Sequence, residues 1–256
     1  MTPIANRRAW TILARNQFLG FVREPAAALF NLAVPMFIIL VQAFAYGGDL
    51  VGHELPGYRV ADVLPIGATV TYVLIIGIFG MSVGLTSMVE SRALATYRFR
   101  PGGVMSMLTV YGAVLLVLAL VGLTTATLVL AGGWSVRAPA RPALLLPVAI
   151  GGCALALVLG ALIASRTASP RSAQAIASAV FFPLLFLSGA MIPTDSFPAG
   201  LEAVSKALPG FHLEEMVSYS WVRSDNLPWA SLIYLFVTTA VAAGLARRGF
   251  NRREDL

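Results

Sequence analysis

The sequence predicts an all-α polytopic membrane protein, and three observations carry that prediction. Of its 256 residues 58% are hydrophobic and only 12% charged, with a mean hydropathy of +0.80. A soluble domain of this length needs about 25% charged residues to cover its surface. Six apolar segments reach the roughly 20 residues that a spanning helix requires. The basic residues, finally, are distributed unequally between the two sides that those segments define.

The six segments are 26–46, 61–87, 104–132, 143–165, 172–192 and 228–247. Prolines mark most of their ends, at Pro25, Pro101, Pro142, Pro170, Pro193 and Pro228. The second and third are long enough to tilt or to extend past the bilayer. With both termini cytoplasmic, thirteen of the eighteen basic residues fall inside, and Arg59, Arg137, Arg141, Lys206 and Arg223 fall outside. The net charge of +6 is then a topological signal, and no nucleic-acid partner is needed to explain it. The acids Asp49, Glu54, Asp62, Asp195, Glu202, Glu214, Glu215 and Asp225 lie at the outer face, where they read as a solvated surface.

Two regions of the chain break the pattern of plain spans. Residues 1–25 carry scattered arginines and no uninterrupted apolar core, so they do not read as a cleaved signal peptide. As a helix over 6–22, Trp10, Leu13, Ala14 and Phe21 share one face, which points to an interfacial helix at the inner leaflet. Between the fifth and sixth segments, residues 193–227 form a long outer region. There Leu201, Val204 and Leu208 recur at helical spacing, but a helix over 199–208 is only about 15 Å long. It cannot cross a hydrocarbon core of about 30 Å. A second short helix over 213–222 comes after an expected break at Pro209–Gly210. The pair either dips back into the outer leaflet or lies on the interface.

The run F-L-S-G-A-M-I-P-T-D-S-F-P-A-G-L, followed by K-A-L-P, resembles the end of the fifth span in permeases of type-2 ABC exporters. Phe186, Leu187, Ser188, Gly189, Pro193, Pro198 and Pro209 match that outline, and Leu208 departs from it where asparagine is common. The nearest likeness is to daunorubicin-resistance-type permeases for drugs and lipids. The resemblance implies one transmembrane domain over 1–256, with six spans and short re-entrant helices in 193–227. It also implies a cytoplasmic coupling loop over 88–103. In M-V-E-S-R-A-L-A-T-Y-R-F-R-P, the residues Glu90, Leu94, Arg98 and Pro101 take the expected places, and Arg92 stands where glycine is usual. Leu94 and Tyr97 offer apolar anchors beside Arg98 on one helical face. The topology rule explains the same arginines without any partner.

Energy must come from elsewhere. A phosphate-binding loop needs lysine followed by Ser or Thr, and the only lysine, Lys206, precedes Ala207. No span carries a charge near its centre to relay ions. His53 and His212 are both outer, HLEE at His212 lacks zinc-protease spacing, and the lone Cys153 forms no intrachain disulfide or multi-cysteine metal site. Ser188 has no neighbouring base, so its hydroxyl is expected to bond a carbonyl near the helix end. No cofactor is expected on this chain. The resemblance places ATP and Mg on a partner ABC ATP-binding subunit, beside a second permease chain, identical or different, among membrane lipids.

Small residues at Gly77, Gly80 and Gly84, at Ala156 and Gly160, and at Ala173 and Ala177 mark close helix crossings. Asn31, Gln42, Gln174 and Ser178 are uncharged polar groups at lipid depth. With Tyr72 they line a substrate path by the resemblance, or else they join helices to one another. The expectation is a permease subunit of an ATP-driven exporter in a bacterial inner membrane, moving an amphipathic drug-like or lipid-like substrate. An ATPase-independent channel or facilitator is the alternative, and an intramembrane enzyme a remoter one.

Overall fold

A computed structural model describes residues 25–51, 57–91, 103–192, 194–222 and 226–254, with side chains for all of these except 25–30, 103–106, 195 and 251–254. The expected N-terminal interfacial helix lies outside the described residues. So do Arg92, Leu94, Tyr97, Arg98 and Pro101 of the coupling loop, and Pro193.

The described chain is helical. Its elements are α1 (Pro25–Tyr46), α2 (Val60–Leu74), α3 (Met81–Glu90), α4 (Gly103–Trp134), α5 (Pro142–Ala164), α6 (Pro170–Phe186), α7 (Ala199–Lys206), α8 (Pro209–Trp221) and α9 (Trp229–Glu254). A π-helical segment, Ile75–Gly80, joins α2 to α3, so the three run as one span from Val60 to Glu90. Among the described residues no strand forms, and β pairing is limited to one isolated bridge, Leu50 to Arg59.

Among the described residues four helices are long and apolar enough to cross a membrane: Val60–Glu90, Met107–Trp134, Pro142–Ala164 and Trp229–Phe250. Helix α1 has 22 residues, of which Asn31–Tyr46 form a shorter apolar stretch. Helix α6 has 17. It stops at Phe186 and does not run on to residue 192, as the hydropathy suggested. The reason is local: Gly189 adopts φ +92, a left-handed conformation that ends a helix, and Ser188 closes the turn. Its hydroxyl donates to Leu185 O at 2.7 Å and accepts from Ala190 N at 3.1 Å.

The Val60–Glu90 span is the axis of the bundle; 89% of its apolar window is buried within the protein, against 17% for Trp229–Phe250. Small residues make the crossings possible. A Cβ added at Gly77 would collide with Ala156, and one added at Gly160 would lie 2.5 Å from Gly77 O and 2.9 Å from Ile78 O. The backbones of the π segment and α5 are therefore in direct contact. On the other side Tyr111 of α4 covers Gly84 and donates its hydroxyl to Gly80 O at 2.9 Å. The glycine and alanine positions singled out in these spans are used as close contacts; Ala173 and Ala177 of α6 are both fully buried.

Candidate transport pathway and its outer cap

Helices α7 and α8 form the short two-helix element between α6 and α9. The expected break at Pro209–Gly210 falls two residues earlier, at Ala207–Leu208. Pro209 is the first residue of α8, preceded by an extended Leu208. Proline suits a first helical position, because its fixed φ is already helical and its missing N–H would find no intrahelical partner there. Gly210 then packs directly on the carbonyl of Leu184, and Ser205 donates to Leu187 O. Leu213 fills the space left by Gly152, beside Val73. Gly152 lies about 15 Å along α5 from Pro142, at 1.5 Å per residue. Leu213, Val217, Ser220 and Trp221 are buried, so α8 is seated in a crevice of the bundle.

The far end of α8 is anchored on Asp62. This acid is fully buried, which corrects the reading of it as part of a solvated face. One carboxylate oxygen accepts from Arg59 N and the other from Arg137 N, each at 2.9 Å. The guanidinium groups of Arg59 and Arg137 stand 3.6 and 3.7 Å away. Arg59 also donates to the carbonyls of Trp134 and Ser135, and Arg137 to that of Gly57. Trp221 Nε1 donates to Asp62 O at 2.8 Å. Arg141 stacks on Tyr219 and donates to its carbonyl. The buried carboxylate thus joins the loop before α2 to the α4–α5 connection, and the backbone carbonyl of the same residue holds the end of α8. Its hydrogen bonds offset the cost of burying the charge.

The near end of α8 is tied to α9. His212 Nδ1 lies 2.7 Å from Ser231 Oγ, and Nε2 lies 3.0 Å from Lys206 O. Ser231 also contacts Glu215 Oε2, and Tyr234 stacks on the imidazole with centroids 3.9 Å apart. Burial pushes the His212 imidazole below its ordinary value, against the Lys206 carbonyl and the Glu215 carboxylate, which pull it up.

The expected path residues separate into two groups. Asn31 and Tyr72 are buried between α1 and α2, where the Tyr72 hydroxyl donates to Leu32 O at 2.9 Å. Gln42 donates to Met191 Sδ at 2.9 Å and so reaches from α1 to the turn after α6. Gln174 is exposed on α6, and Ser178 donates to Gln174 O at 2.9 Å. Helices α1 and α6 do not pack on each other, so within one chain these five residues do not converge. Glu90 ends α3 with its side chain exposed. Sequence reasoning missed Asp62, Glu215 and Ser231. An acid at the third residue of an apolar helix was the available signal for Asp62, since an isolated charge there demands partners.

Among the described residues the fold is thus a helical bundle in which four helices are long and apolar enough to cross a membrane. The pattern of the ABC-2 type transporter family matches residues 8–221, most of the chain. The chain belongs to that family and is a multi-pass membrane permease of the ABC exporter kind. None of the curated proteins matches it.

Proposed function

We propose that the chain forms half of a conduit through which an amphipathic drug-like or lipid-like molecule leaves the cytoplasm or inner leaflet of a bacterial membrane. The six helical segments α1, α2–α3, α4, α5, α6 and α9 all cross, both termini are cytoplasmic, and α7–α8 re-enter from outside. A second permease chain, identical or different, faces α1 and α6. An ABC ATP-binding subunit, holding ATP and Mg, drives the cycle by pushing on the loop that begins at Glu90 and contains Arg92, Leu94, Tyr97, Arg98 and Pro101.

One observation carries this reading. Helices α1 and α6 leave apolar faces uncovered, with Phe37, Val41 and Phe44 on one and Ile176, Phe182 and Phe186 on the other. Polar Gln174 and Ser178 share the second helix. Half a path built this way is completed by a second copy of the same two helices. The seating of Leu213 beside Gly152, well below the outer end of α5, supports a cap that dips into the membrane over that path.

The test is reconstitution of the chain with and without an ABC ATP-binding subunit in sealed vesicles. ATP-dependent accumulation of an amphipathic dye is expected only with both. Uphill movement by this chain alone overturns the scheme, and downhill flux without ATP favours a facilitator.

A further inference from the structure

The array at the start of α8 has a proton count that its contacts fix. A backbone carbonyl only accepts, so His212 Nε2, facing Lys206 O, carries hydrogen. Ser231 has a single hydroxyl hydrogen but lies between two groups, His212 Nδ1 and Glu215 Oε2. If Glu215 is ionised, Ser231 donates to it, and Nδ1 must then carry a second ring hydrogen. If the ring is neutral, Ser231 donates to Nδ1, and the carboxyl must be protonated to complete the remaining contact. Both arrangements hold one proton more than a neutral imidazole plus a free carboxylate. Removing it leaves two lone pairs facing each other, so one contact between α8 and α9 must open.

We propose that His212, Ser231 and Glu215 form a one-proton site on the outer face, which fastens the cap helix α8 to the last span and releases it when the proton leaves. Ser231 is buried, whereas His212 and Glu215 are partly open, so the ligand is a proton taken from the outer medium. The surrounding charged and titratable groups are otherwise engaged. Lys206 pairs with Glu202 at 2.6 Å, and Tyr234 donates its hydroxyl to Ala207 O. Glu214 lies toward Gly189 on another face of α8, and Asp62 and Arg141 hold the opposite end. Cys153, on α5, is buried in the core and touches none of the array's hydrogen bonds.

The sign of the effect separates this site from an ordinary buried histidine. An isolated imidazole with depressed proton affinity binds a proton better when undocked, so acid would loosen the cap. The shared proton works the other way, because it is bound only while all three side chains meet. Whichever of the two groups carries that proton, the count is the same.

The experiment uses the full-length protein in lipid nanodiscs with His53→Gln, which leaves His212 as the sole imidazole. Amide exchange over 209–221, corrected for intrinsic rates, is followed between about pH 8 and about pH 5, the range in which such groups titrate. Protection is expected to rise about tenfold toward acid, the worth of one hydrogen bond. Glu215→Gln should be protected at every pH. Its amide donates to Ser231, which frees the serine hydroxyl for Nδ1 without an added proton, and ring 15N shifts should show a neutral Nε2–H imidazole. Ser231→Ala should lose protection throughout. Flat or acid-weakened protection in the parent protein overturns the proposal, as does a Glu215→Gln variant that keeps the parent's pH dependence. The readout needs no transport, so it stands or falls apart from the exporter reading.

Discussion

The Val60–Glu90 span and the Trp229–Phe250 span are both apolar, yet they occupy opposite situations. The first is enclosed by protein along nearly its whole length, and the second mostly faces outward. Their glycines differ accordingly. Gly77 and Gly80 touch neighbouring helices through missing side chains, whereas Gly244 has nothing within 4 Å of an added Cβ and only Gly249, at the end of its span, meets a neighbour, Ser165. Hydropathy records the transfer into lipid that both share. Packing, which differs between them, is recorded in the small residues.

The same substitution should therefore give opposite results in the two spans. Gly77→Ala places a methyl group against Ala156 and is expected to cost about 3 kcal/mol, the upper range for overpacking. Gly244→Ala should be neutral or stabilising by up to about 1 kcal/mol, since only helix propensity changes. Unfolding of both variants in the same detergent checks this, and similar losses would erase the distinction. Next in size is Asp62→Ala near the Val60 end of the central span. It leaves two backbone N–H groups and two arginines without their shared acceptor, at a cost of about 3 kcal/mol or slightly less. The same change should raise proteolytic cleavage after Arg137. Tyr111→Phe removes one hydroxyl from Gly80 O and should cost about 1 kcal/mol in thermal stability. Smallest is Glu202→Gln in the exposed pair with Lys206, where a shift above about 0.5 kcal/mol, or one insensitive to salt, would contradict a surface ion pair.

The sequence made the class and most helix positions readable, because composition and the length of apolar runs report on transfer into lipid directly. The crossings at Gly77, Gly80, Ala156 and Gly160 were readable too, as small residues at regular spacing. The end of α6 was not, since apolar residues continue to Ile192 and only the backbone at Gly189 stops the helix. Pro209 was read as a break because proline interrupts helices, but at a first position it begins one. Asp62 meets Arg137 from 75 positions away, and His212 meets Ser231 from 19. Nothing local in a single sequence indicates such partners.

The widened winding at Ile75–Gly80 has one more effect. Each α-helical residue turns the chain by about 100°, and a π turn inserts one residue's worth of extra phase. The upper and lower stretches of the central span therefore present stripes that are out of step by roughly a quarter of a revolution. Letting that turn tighten would swivel the half that ends at Glu90 against a stationary half that begins at Val60, with Asp62 still fastened at that beginning.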